Sequence, residues 1–149
     1  MEIRQISAKQ FYLCGQIWDL NERRDLAKQF LGEITSGNRT TWLYFADDKP
    51  VGEISLVRHM DEPDYTIPGK RAYLSHLLVL PKYRNRGIAG ALITHLLEQA
   101  KNWDYQEVSL GVDLDNYPAI KLYTKYGFDK IICADQDKYG KYIKLLKTL

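Results

Sequence analysis

Residues Arg71 to Pro81, RAYLSHLLVLP, are apolar with no alternation, and a long helical pattern starts a few residues later. A strand that is apolar on both faces must be covered on both, which places it inside a sheet that carries helices. The helix spans Gly87 to Trp103 and stacks Ile88, Leu92, Leu96 and Ala100 on one stripe. Between strand and helix lies a corner, Arg84-Asn85-Arg86-Gly87-Ile88-Ala89-Gly90, crowded with arginine and glycine. This strand–turn–helix unit restricts the chain to an α/β architecture built round a central strand.

The flanking sequence supplies the other elements. EIRQIS alternates and predicts a first strand, Glu2 to Ser7. Ser7 caps a helix from Ala8 to Leu20, with Gln10 in the capping-box position and Phe11, Cys14, Ile17 and Trp18 on one face. A second helix runs from Arg24 to Ile34 and stops at Gly37-Asn38. TTWLYFADDKPVGEISLVRHM predicts a hairpin that turns at Asp47–Pro50, with its second strand from Val51 to Arg58. DEPDYTIPGK reads as an acidic, proline-bearing loop. EVSLGVD is a further strand, and Pro118 opens a helix that Gly127 closes. FDKIICA and KYIKLLKTL make a last hairpin through Lys138–Gly140. The order β-α-α-β-β-β-α-β-α-β-β predicts a single domain over residues 1–149, with a mixed sheet and helices against it.

With 149 residues, 45% of them hydrophobic and 27% charged, the chain can bury one sizeable core. A net charge of +2, mixed along the chain without a basic tail or helix, argues against a nucleic-acid partner. No apolar run is long enough to span a bilayer, and the opening MEIRQISAKQF lacks the apolar segment of a signal peptide. The expectation is a cytoplasmic protein without membrane association. Cys14 and Cys133 sit in apolar contexts that predict two buried thiols rather than a disulfide. His59 and His95 have no second ligand at workable spacing, so no metal is expected.

The corner carries the chemistry. A helix N-terminus has unpaired N–H groups and a partial positive charge, and glycine lets a ligand approach the backbone. Arg84 and Arg86 can add charge-assisted hydrogen bonds to phosphate. A cofactor or nucleotide bearing a pyrophosphate suits such a site; equally, glycines can serve a tight corner and arginines a solvated face. Neither a P-loop nor a G-x-G-x-x-G pattern is present.

These residues resemble the GCN5-related N-acetyltransferases, the GNAT family. The family hallmark, R/Q-x-x-G-x-G/A after a central strand, is met by Arg84, Gly87 and Ala89 in LLVLPKYRNRGIAGALI. A downstream pattern, N-x-x-A-x-x-L-Y-x-K-x-G-F, is met by Asn116, Ala119, Leu122, Tyr123, Lys125, Gly127 and Phe128. With the element order the resemblance covers essentially the whole chain, most strongly Ala72 to Phe128. It implies a GNAT-like fold, a mixed and mostly antiparallel twisted sheet flanked by helices, and an acetyl-CoA-dependent N-acetyltransferase.

The resemblance also assigns roles. The diphosphate of the co-substrate would lie on the backbone N–H groups of Asn85, Arg86, Gly87, Ile88, Ala89 and Gly90, beside Arg84. Its pantetheine would run along Leu77, Leu78 and Val79, where the family's strand splays from the next. Asn116 and Ala119 would flank the cofactor, and Tyr123 would be the general acid toward the sulfur. Transfer in the family is direct, so an amine with a free pKa near ~10.4 must shed a proton before it attacks. The glutamate that some members use as base falls here on Tyr73. His76 is a candidate base, with Glu53, Asp113, Asp115 or a chain of waters as alternatives. His76 otherwise reads as a core histidine, and the three carboxylates as solvated or turn residues. Trp18, Trp42 and Trp103 read as core packing. Asp61, Glu62 and Asp64 could attract a cationic amine or simply be solvated.

The implied acceptor is the primary amine of a small molecule, with a peptide or protein amine second. A non-catalytic acyl-CoA-binding module is the remaining alternative. A homodimer paired through the final strand is compatible with the family.

Overall fold

A computed structural model describes residues 2–149. Seven strands form a mixed sheet with helices against it. The chain packs as two compact units, one holding the residues up to Val57 with Ser75–Leu96, the other Arg58–Leu74 with Leu97–Leu149. No described helix is long and apolar enough to cross a membrane.

In the first unit β1 (Glu2–Gln5), β2 (Arg39–Ala46) and β3 (Lys49–Val57) pair antiparallel in that order. The strand β4 (Arg71–Val79) follows β3. The β2–β3 turn is tighter than expected: Asp47 and Asp48 have φ of 52° and 62°, and β3 already starts at Lys49. Positive φ at both central residues is the hairpin turn whose twist suits the strands. Pro50 therefore lies inside β3. A register shift at Tyr44/Phe45 accommodates it there, as bulges do for a residue with no N–H to give.

The first expected helix is a 3₁₀ segment, Ala8–Gln16, rather than an α-helix to Leu20. The apolar residues Phe11, Cys14 and Ile17 recur every third position, and side chains three apart eclipse in 3₁₀ geometry. The Ser7 N–H donates to Gln10 Oε1 at 3.0 Å, the backbone half of the expected capping box. Helix α1 (Arg24–Ser36) ends at Gly37 as expected. Leu26, Ala27, Phe30 and Ile34 share one face of it and pack with Ile6, Phe11, Cys14, Leu43 and Phe45. Burying each large side chain there contributes about 1.5–3 kcal/mol.

The second unit holds the start of β4, the end of α2 (Ile88–Asn102), β5 (Glu107–Asp113), α3 (Tyr117–Lys125), β6 (Lys130–Asp137) and β7 (Gly140–Thr148). The start of β4 pairs parallel with β5 from Arg71↔Glu107 to Tyr73↔Ser109, and the ladder ends there while β4 runs on to Val79. β5 pairs antiparallel with β7, and β7 with β6, so β7 lies between them and β6 is the edge. That edge leaves Cys133 partly exposed, not buried as expected; Cys14 is buried, and neither thiol is in a disulfide.

The acidic loop is not merely solvated. Lys144 on β7 is buried, and its Nζ donates to the Pro63 carbonyl at 3.0 Å and meets Glu62 at 3.3 Å and Asp64 at 3.6 Å. Arg71 Nη1 donates to the Asp64 carbonyl at 2.6 Å and Ser109 Oγ to the Tyr65 carbonyl at 2.5 Å. These bonds fold the loop down, and Tyr65 is buried.

Candidate active site

The corner that follows β4 turns a row of backbone amides outward at the start of a helix. A 3₁₀ turn at Pro81–Tyr83 leads out of the strand, and α2 starts at Ile88. Leu80 N–H is held by the Val51 carbonyl at 2.9 Å, which fixes the corner to β3. Asn85 and Gly87 both have positive φ, 62° and 82°. Among the described residues, no carbonyl or side chain accepts from the amides of Asn85 through Gly90; the first amide of this helix to be taken is Ala91, by the Gly87 carbonyl at 3.0 Å. These amides carry the positive end of a helix of 15 residues. Arg84 docks its Nε on the Val79 carbonyl at 3.1 Å, and Arg86 lies over the Tyr83 ring. Gly87 faces open space, since a Cβ there would meet nothing within 4 Å.

His76 lies in the same unit, and its backbone is unusual. Its φ is 58°, in the left-handed region, inside a strand. Such a conformation costs on the order of 1–3 kcal/mol and persists only when its surroundings hold it. The strand's alternation breaks there, with Leu74 and Ser75 both buried. The ring is gripped by the edges of Trp18 and Phe30, centroids at 4.8 Å and 5.0 Å. His76 Nδ1 lies 2.6 Å from Glu53 Oε2. Trp18 Nε1 donates to the other oxygen of that carboxylate at 3.0 Å. Glu53 is 1% exposed and the His76 side chain 15%. Burial and then the neighbouring Glu53 push the Cys14 thiol up, and that thiol also hydrogen-bonds Glu53. A buried carboxylate needs such partners.

The second unit contains a cavity of about 330 Å³. Tyr65, Tyr73, Tyr123 and Tyr142 line it, with the carboxylates of Glu62, Asp113 and Asp137. Burial, and then Tyr73, push the Tyr123 phenol up to about 12, so it keeps its proton at neutral pH. Its ring packs edge-on against Phe128 at 5.9 Å. Asn116 and Ala119 line the same cavity, and they also cap α3: Asn116 Oδ1 accepts from the Ala119 N–H at 3.3 Å.

The expected residues thus fall in two sets. His76, Leu77, Leu78, Val79 and the stretch Arg84 to Gly90 lie on either side of one short turn in the first unit, while Asn116, Ala119 and Tyr123 share the cavity of the second. Asp113 lines that cavity, and Asp115 is exposed. Glu53 is not the solvated residue expected, because β3 buries it. The signal was a lone acid in PVGEISLV, a strand apolar on both faces. Trp18 packs as expected and is also a donor to that acid. Among the described residues no cluster of His, Cys, Asp or Glu could hold a metal ion.

The chain is similar to known proteins at the level of family, sequence and fold. The model of a family described as Acetyltransferase (GNAT) family matches residues 1–128. N-acetyltransferase 8 of Homo sapiens is 34% identical over 106 residues, which cover 71% of this chain and 44% of that protein. The chain therefore spans less than half the length of this relative. L-amino acid N-acetyltransferase AaaT of Escherichia coli is 45% identical over 49 residues, 32% of this chain and 30% of that one. A GNAT family acetyltransferase from Elizabethkingia anophelis, solved with acetyl-CoA bound, superposes with a TM-score of 0.75 at 19% identity, covering 99% of this chain and 97% of its own. That likeness is one of fold.

Proposed function

The chain belongs to the acetyltransferase (GNAT) family, and from that premise we propose that it transfers an acetyl group from acetyl-CoA to the primary amine of a small molecule. The observation that carries this reading is the row of open amides from Asn85 to Gly90, flanked by Arg84 and Arg86. Main-chain donors at a helix start and two guanidinium groups fit a diphosphate. Bound acetyl-CoA supplies the thioester. Leu77, Leu78 and Val79 offer strand backbone to its pantetheine, and Asn116 and Ala119 are assigned to the co-substrate on the family pattern alone.

In this reading the ammonium first sheds one proton to solvent, and His76 Nε2 takes a second as the free amine nitrogen attacks the thioester carbonyl. The Val79 N–H donates to the oxyanion. The C–N bond forms, the C–S bond breaks, and Tyr123 gives its phenolic proton to the departing sulfur. The proton gained by His76 and the one lost by Tyr123 re-equilibrate through water, so amine and thioester become amide and thiol. Tyrosine faces and carboxylates around the second unit's cavity suit an ammonium-bearing acceptor, and its volume suits a small molecule. The Escherichia coli relative is an L-amino acid N-acetyltransferase, which points the same way. The two units alternate along the chain, which supports reading residues 1–149 as one domain.

Calorimetry with CoA and a thiol-release assay over small amines and peptides test the proposal. Heat of binding plus turnover on small amines is the expected result. Turnover on peptides alone replaces the acceptor class. Binding without turnover makes the chain an acyl-CoA-binding module, and no binding overturns the reading altogether.

A further inference from the structure

We propose that Glu53 sets the tautomer of His76, so that Nε2 is the lone-pair nitrogen. This rests on the reading of His76 as base. Trp18 Nε1–H is a donor only, and it occupies Glu53 Oε1 at 3.0 Å. The other oxygen, Oε2, faces His76 Nδ1 at 2.6 Å. A carboxylate only accepts, so Nδ1 carries the hydrogen and the neutral ring leaves Nε2 free. Among the described residues no group bonds Nε2. Glu53 is therefore a positioning residue that selects the nitrogen that reacts, while Trp18 holds the carboxylate's other oxygen. The further charged and titratable groups packed round this site are Cys14, bonded to Glu53, and Arg39, stacked over Phe30.

The geometry makes an unusual demand on Glu53→Gln. An amide has one acceptor and one donor end. The Trp18 hydrogen claims the carbonyl oxygen, which turns the –NH2 toward His76. Nδ1 must then accept, and the hydrogen moves to Nε2. Removing the indole donor as well, in Glu53→Gln/Trp18→Phe, frees the amide to rotate and present its oxygen to Nδ1 again.

Nitrogen-15 NMR of the full chain with labelled histidine reads the tautomer directly in the neutral form. The expected pattern is a protonated Nδ1 in the parent and in Trp18→Phe, a protonated Nε2 in Glu53→Gln, and a return to Nδ1–H in the double variant. In the amine assay Glu53→Gln is expected to lower kcat on the order of 100-fold or more with KM for acetyl-CoA unchanged, and the double variant to regain part of that loss. A purely structural Glu53 would not produce rescue by a second substitution. Nε2–H in the parent, or a tautomer indifferent to Glu53→Gln, overturns the inference. The expected NMR pattern with unchanged kcat would leave the inference standing and remove His76 as the base. Should Glu53→Gln fail to fold, the parent and Trp18→Phe spectra still decide it, since both must show Nδ1–H.

Discussion

In the proposed mechanism Tyr123 belongs to chemistry and Gly87 to binding. Tyr123→Phe keeps the ring against Phe128 and removes the proton; kcat is expected to fall by about 10²–10⁴ with CoA affinity unchanged in calorimetry. Gly87→Ala does the reverse. Its φ of 82° is unfavourable for any residue with a Cβ, by roughly 1–2 kcal/mol, although the space around it is open. The corner relaxes away from its ligand-ready form, and weaker CoA binding with a small loss in thermal stability is the expected outcome. At this scale Arg84, Gly87 and Tyr123 stand out in the sequence because short motifs carry them. Glu53 stands only among the alternative bases and reads as solvated, because its burial depends on a partner 23 positions away in sequence on another strand. A one-dimensional pattern contains no such pairing.

Elements were legible where their periodicity was strong. The central strand, α2 and both hairpins stand within a few residues of expectation. The 3₁₀ segment was misread because periods of 3.0 and 3.6 hardly diverge over nine residues. The seating of β7 between β5 and β6 follows from a ladder that adjacent hairpin strands cannot announce. One element contact is testable directly. A Cβ at Gly111 on β5 would collide with the Tyr65 hydroxyl, which packs over the strand at that position. Gly111→Ala is expected to destabilise by about 1–3 kcal/mol in urea unfolding, and Tyr65→Phe in the same chain to restore part of it. Equal losses in the single and double variants would show that the hydroxyl is not the obstacle.

For the molecule as a whole, ligand and pH act through linkage. CoA at about 100 times its Kd should add about 2.7 kcal/mol of stability, seen as a rise in Tm that grows with concentration. Raising the pH acts the other way. The Tyr123 phenol loses its proton near its ordinary value of 10.0 when unfolded but at about 12 when folded. Above about pH 10 the unfolded chain thus binds fewer protons. The contribution of that burial is full below that pH and lost as pH climbs toward the folded value. Tyr123→Phe should flatten the decline in urea midpoints between about pH 9 and 12, and Tyr65, also pushed up by burial, should leave a remainder.

The backward twist of the main chain at His76 has a last consequence, for how such a protein can change over generations. A strand of ordinary rungs can lose or gain two residues and still point the same side chains inward. Here one rung is reversed, and only the residue standing on it reaches the carboxylate beneath. Insertions and deletions should therefore be purged from Arg71–Val79 yet accumulate at the exposed turn of Lys138 and Tyr139, a contrast that random-length mutagenesis with selection for activity would expose.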